Sequence, residues 1–219
     1  MERTDAANGP DGGAAAYEFE LSGGASCLDF ANTVSNRGTE PIERLRSYGD
    51  LVAWAAQAEL IGDGEAAALR RAAEARPGEA EAVLARARAL REALFGLFTA
   101  AAAAGAAGGD DDLAAVNREL PAALARRRLT RDGDGYRWCD AEDGGGPELA
   151  APLAPVARSA AELLASGDLA LVRECDADTC RWLFLDRSRN RSRRWCDMKM
   201  CGNRAKVRRH YRRQRAAGG

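Results

Sequence analysis

Histidine is nearly absent. His210 is the only one in 219 residues, and it lies inside a basic C-terminal stretch. That leaves the rest of the chain without the base that a Ser–His or Cys–His nucleophile needs. It also argues against a catalytic zinc, which keeps an open position and usually takes His or carboxylate ligands. No apolar run reaches the ~20 residues that cross a bilayer, so no membrane partner is expected. The opening stretch MERTDAANGPDGGAAA has no apolar signal core. This speaks against a secreted disulfide framework and predicts reduced thiols and a cytoplasmic location. A phosphate-binding glycine loop, a catalytic triad, an internal repeat and an EF-hand loop are missing too. An enzyme is therefore not expected.

Cysteine is what the chain does have. Two of the six stand apart, Cys27 and Cys139, and the other four form pairs, Cys175/Cys180 and Cys196/Cys201, each with four residues between its members. Structural zinc takes four ligands in a tetrahedron, commonly thiolates, and two close pairs on two turns let the metal staple distant pieces of chain. Zinc on Cys175, Cys180, Cys196 and Cys201 is the expectation. Between the pairs runs Trp182-Leu183-Phe184-Leu185, a short strand that places Trp182 and Phe184 on one face. A helix is expected over Asn203–Arg215, with Gly202 supplying a tight entry. Knuckle, strand and ligand-bearing helix start suggest a treble-clef-like finger. So small a unit depends on metal for its folding energy. Cys27 and Cys139 are read as structural thiols.

Charge is sharply polarised. Residues 173–219 carry fifteen Lys and Arg against five Asp and Glu, a net of +10, so the preceding 172 residues must carry −11 for the chain to total −1. Clustered Arg beside aromatics on a zinc finger is the electrostatic footprint of phosphate binding. Arg189, Arg193, Arg194, Arg204, Lys206, Arg208 and Arg209 are the candidate nucleic-acid contacts. Trp182 and Trp195 are expected to pack around the metal.

The N-terminal part reads as mainly helical with small β elements, so the whole chain is α+β. Residues 1–16 form a disordered tail, 17–172 a helical domain and 173–215 the finger. Tyr17–Leu21 alternates like a strand. Ser26 with Asp29 reads as the capping pair of a helix that buries Leu28, Ala31 and Val34. Ser47–Leu60 follows, capped by Ser47 and Asp50, and then Glu65–Ala75, ended by Arg76-Pro77-Gly78. The longest helix spans Glu79 to Ala104. Its stripe of Val83, Ala87, Leu90, Leu94, Leu97 and Ala101 is core or a dimer seam, and a homodimer is kept open. A helix from Asp110 to Arg128 is bent by Pro121, and Asp132-Gly133-Asp134-Gly135 turns a hairpin. Pro152–Ser166 is helical, and Leu169–Arg173 leads as a strand into the first knuckle. Asp132, Asp134, Asp140, Glu142 and Asp143 are an acidic turn. Asp29 and Asn32 are read as local hydrogen-bonding residues, with a small-molecule pocket of Asp29, Asn32 and Arg37 as the alternative.

These residues also carry a resemblance. Trp182-Leu183-Phe184-Leu185-Asp186, Ser192-Arg193-Arg194-Trp195-Cys196 and Cys201-Gly202-Asn203-Arg204 resemble the CGNR zinc-finger family of bacterial proteins. Cys27-Leu28-Asp29-Phe30-Ala31-Asn32-Thr33-Val34 resembles the opening motif of the ABATE domain that precedes such fingers, described as a stress-induced transcription regulator. The resemblance implies DNA as partner and a regulatory role, with the N-terminal domain as sensor. The alternatives are a finger that docks on protein, or an N-terminal domain that binds a small-molecule effector or acts as an enzyme.

Overall fold

The computed structural model of the chain describes residues 17–104, 107–140 and 147–207. Tyr17–Leu21 forms no regular element and pairs with no strand among the described residues. One side chain replaces the ladder: Gln57 accepts from the Phe19 N–H at 2.8 Å and donates to the Phe19 carbonyl. Helix α1, Ser26–Ala31, buries Cys27, Leu28, Phe30 and Ala31. It is too short to persist by propensity, so packing holds it. The expected Ser26–Asp29 cap does not form. The Asp29 carboxylate instead accepts from Gly23 N–H at 2.7 Å, tying down the turn before the helix.

Val34–Ser35 (β1) pairs antiparallel with Ile42–Glu43 (β2). Helix α2, Tyr48–Gln57, opens on the expected capping box of Ser47 and Asp50. Helix α3 is Asp63–Ala75, and α4 runs without a break over Pro77–Ala104. Pro77 thus starts a helix instead of ending one, because the first helical position needs no N–H. The α4 stripe from Val83 to Leu97 is buried against α1, α2, α3 and α5, which makes it core, not seam.

Helix α5, Asp110–Ala125, carries Asp110–Asp112 in its first turn, with Gly109 as the cap and Pro121 inside. A Cβ at Gly96 would collide with the Asp112 carboxylate, so α4 and α5 approach closely there. The helix stops three residues short of the expected Arg128, because Arg127–Asp132 (β3) pairs with Gly135–Asp140 (β4) across a two-residue turn with Gly133 at φ 57°. Asp140 is ion-paired to Arg158 at 2.8 Å, while Glu142 and Asp143 lie outside the described residues. Helix α6, Leu153–Leu164, is followed by a 3-10 turn over Gly167–Leu171, which displaces the start of the expected strand to Val172.

Val172–Glu174 (β5) pairs antiparallel with Leu183–Leu185 (β6). Here one strand serves two cores. Leu183 and Leu185 belong to the helical core, together with Val172. Trp182 and Phe184 belong to a second cluster with the four paired cysteines. Strand alternation alone produces this split. Side chains from the segment after α1 lock it. Asn32 accepts from Leu183 N–H at 2.8 Å and donates to the Leu183 carbonyl at 2.9 Å, while the Trp182 indole N–H donates to the Val34 carbonyl at 2.8 Å.

Asn32→Ala should therefore leave both backbone groups of Leu183 unpaired in a buried site. At ~1–3 kcal/mol for each buried orphan, urea unfolding should show a loss of about 2–4 kcal/mol. Zinc retention against a chelator should fall in the same variant, since Leu183 lies between two residues of the cysteine cluster. Wild-type stability in that variant would show that the clamp is idle.

Candidate metal centre and basic face

Four short pieces of chain bring the cysteines together. Cys175 follows β5, and its N–H donates to the Trp182 carbonyl at 2.8 Å. Cys180 closes a turn through its N–H to the Ala177 carbonyl, also at 2.8 Å. Cys196 follows Trp195. Cys201 lies in a wide helical turn, Met198–Gly202, which Asp197 caps by accepting from Met200 N–H at 2.7 Å. A Cβ at Gly202 would come within 2.8 Å of the Met198 sulfur, the end of a half-exposed side chain that can move aside.

All four Sγ atoms lie within 4.8 Å of one another. Cys180 to Cys196 is 3.7 Å and Cys196 to Cys201 is 3.8 Å. A regular tetrahedron with Zn–S bonds of about 2.3 Å has S···S edges of about 3.8 Å. None of the four forms a disulfide. Hydrogen bonding from Cys180, Cys196 and Cys201 pulls the Cys175 thiol down, and contact with Cys175 pushes Cys196 up. Sulfurs this close cannot all ionise unless a cation sits among them. The donor set, the spacing and the burial all fit a structural zinc, held by Cys175, Cys180, Cys196 and Cys201, with no open coordination position.

A buried carboxylate sets the shape of the arginine loop. Asp186, fully buried, accepts from Ser188 N–H at 3.0 Å, from the Ser188 hydroxyl and from Arg193 N–H at 2.9 Å. These bonds hold its carboxyl below the usual range against the cost of burial. Sequence reading passed over this residue, although Asp followed two positions later by Ser is a turn signal.

The candidate contacts divide into two kinds. The Arg193 guanidinium donates to the carbonyls of Trp195 and Cys196 and lies 4.5 Å over the Phe184 ring. Arg194 pairs with Asp176 at 2.6 Å and lies over Trp195. These two brace the second knuckle. Arg189, Arg204 and Lys206 are exposed and have no side-chain partner among the described residues. Arg191 and Lys199 share that condition. Residues 203–207 are helical. Arg208 and Arg209, with the rest of the expected helix to Arg215, lie outside the described residues.

The alternative pocket residues do not converge. Asp29 and Asn32 line a shallow cleft with Tyr17, Thr33, Arg44 and Trp182, whose volume of about 10 Å³ has room for about one water molecule. The Asn32 amide is already committed to Leu183. Arg37 lies elsewhere, paired with Glu92 at 2.8 Å and stacked 4.0 Å over Phe95. Burial pushes the Cys27 thiol up to about 12, which makes it inert. Cys139 sits half-buried on the hairpin.

Comparison with protein families gives two matches in tandem. The family ABATE, described as "Putative stress-induced transcription regulator", matches residues 24–167. The CGNR zinc finger matches residues 172–214. No curated protein matches the chain.

One zinc per chain is expected by metal analysis, lost in Cys196→Ser/Cys201→Ser and retained in Cys27→Ser and Cys139→Ser. Retained metal in the double variant would exclude this ligand set. Asp29 generates a pH prediction. Burial raises its carboxyl from 3.8 to about 6. The folded state then binds the proton more tightly than the unfolded chain, so stability falls as pH rises through that window. Asp29→Asn keeps the acceptor for Gly23 N–H but cannot ionise. Relative to wild type, it should gain on the order of 2 kcal/mol between pH 4 and pH 7 in denaturant titrations. Parallel pH curves for the two proteins would exclude a burdened Asp29.

Proposed function

We propose that this chain, which belongs to the ABATE family and ends in a CGNR zinc finger, is a regulator that binds duplex DNA through that finger. The observation that carries the reading is the division among the finger's cations. Arg193 and Arg194 are tied to the knuckle, whereas Arg189, Arg191, Lys199, Arg204 and Lys206 stand exposed without a side-chain partner among the described residues. Unpaired cations on two segments joined at one metal centre repel one another, and phosphates relieve that repulsion. Residues 173–215 form the binding part and residues 17–172 the regulatory part. The cleft beside Asp29 is bounded by Trp182 of the finger.

Titration of labelled duplex DNA with zinc-loaded protein at several salt concentrations tests this. Log affinity should fall linearly with log salt, with a slope reflecting about four to seven phosphate contacts. Arg204→Ala with Lys206→Ala should flatten the slope by about two units, roughly one for each lost contact. Arg193→Ala should behave differently: it should weaken zinc retention first and DNA binding only as a consequence. Absence of binding at low salt would remove DNA as the partner and turn the finger toward protein docking.

A further inference from the structure

A two-stranded sheet leaves both outer edges unpaired, and the β3–β4 ribbon is the longest such sheet among the described residues. Its register runs unbroken from Arg127↔Asp140 to Asp132↔Gly135, with no bulge and no proline to blunt an edge. In an antiparallel ladder the backbone groups of successive pairs point alternately inward and outward. The two-residue turn closes on Asp132 and Gly135. Arg131 with Tyr136, Leu129 with Trp138 and Arg127 with Asp140 are therefore the pairs whose N–H and C=O groups point outward. On β3 that edge is partly occupied, because the Arg127 carbonyl accepts from the Arg128 guanidinium at 2.8 Å. On β4 the outward backbone groups of Tyr136 and Trp138 have no partner among the described residues. The side chains of these same pairs share one face of the ribbon. Leu129, Tyr136 and Trp138 are 61%, 70% and 55% exposed there.

We propose that β4 accepts an extended acidic peptide segment of a partner protein as a third strand. The backbone sets the class of partner. Open N–H and C=O groups along a strand edge are met in kind by another peptide backbone, and strand addition takes its affinity from those bonds. The charges set the side chains. The Arg127 guanidinium lies 5.0 Å from the centre of the Trp138 ring and that of Arg131 5.9 Å from the centre of the Tyr136 ring. Both cations thus reach from β3 over the rings of β4, beside the open edge. Neither has a carboxylate partner among the described residues. Asp140 is held by Arg158 at 2.8 Å, and Asp132, on the opposite face, stands 3.9 Å from Arg137. Arg127 and Arg131 are four positions apart. Carboxylates at the same spacing on a third strand would pair with both, and an apolar residue midway would lie against Trp138. Nucleic acid fits this face less well. A guanidinium already lies over each ring where a base would stack, and the ribbon belongs to the net-acidic first 172 residues.

The inference does not depend on what the finger binds. The probe is the peptide Thr-Glu-Thr-Val-Thr-Glu-Thr, added to the isotope-labelled, zinc-loaded full chain and followed by amide NMR. The amides of Tyr136 and Trp138 should shift, with a dissociation constant on the order of 0.1 mM. Replacing both Glu of the peptide by Lys should weaken binding at least tenfold, and Arg127→Glu/Arg131→Glu in the chain should reverse that preference. Backbone N-methylation of the peptide should abolish binding. Trp138→Ala should weaken it at least fivefold, with helical circular dichroism and zinc content unchanged. No shift at about 1 mM acidic peptide overturns the proposal, and so does an equal response to the acidic and basic peptides. A single-stranded DNA oligonucleotide that shifts these amides when the acidic peptide does not also overturns it, and assigns the ribbon to nucleic acid. A two-chain mass in sedimentation that Trp138→Ala reduces to one chain overturns it in favour of a second copy on the β4 edge.

Discussion

Strand β6 is the constraint on which the two halves of this protein depend. It is three residues long, yet its alternating side chains enter two different cores. A strand this short has little stability of its own. It is held by β5 and by both polar atoms of the Asn32 amide, its last residue Leu185 donates to the Gly23 carbonyl, and just beyond it Asp186 donates to the Leu171 carbonyl. The close approach continues at Gly38, whose N–H donates to the Thr179 carbonyl at 3.3 Å and where a Cβ would run into the Asp178 carbonyl. Metal cluster and helical core therefore meet in one strand, not across a linker.

That arrangement gives the arginines of the finger different tasks. Arg193 and Arg194 stand next to each other and next to Cys196, and by spacing they look equivalent to Arg189 or Arg204. Their surroundings separate them. Arg193 meets free carbonyls and the Phe184 ring, and Arg194 meets Asp176. Guanidinium groups serve both as structural braces and as phosphate ligands, because one planar fork suits carbonyls, carboxylates, phosphates and ring faces alike. Only the neighbours decide which task is taken. The buried Asp186 extends the same logic to the backbone, since it fixes the loop that presents Arg189 and Arg191 outward.

Electrostatic polarity across the chain is less mixed in space than close packing would suggest. The ion pair Arg187–Asp168, at 2.8 Å, joins the two parts, while Arg181–Glu174 and Arg194–Asp176 lie within the finger itself. The acidic N-terminal part leaves the exposed cations near the metal centre unpaired. In that part a chain of ion pairs through Arg37, Glu92, Arg91 and Glu43 ties α4 to the segments after α1.

The sequence by itself determined the metal centre, the helical class and most helix positions. Those features rest on local signals: paired cysteines at matched spacing, a 3.6-residue apolar stripe along α4, a capping box at Ser47, an Asp-Gly turn. Family resemblance in the finger's motifs was equally local, since it lies in short blocks of adjacent residues. What only the tertiary structure decided were the features that join residues far apart in the chain. Asn32 looked like a helix-end residue serving its own backbone, and it clamps a strand 151 positions away. Asp29 looked like a cap, and it holds the Gly23 turn. Tyr17–Leu21 had the alternation of a strand, and a glutamine side chain took the place of its partner. The difference has one physical origin. A short polar side chain can satisfy either its own backbone or a distant one, and burial of the distant group, which no local pattern records, determines which of the two it takes.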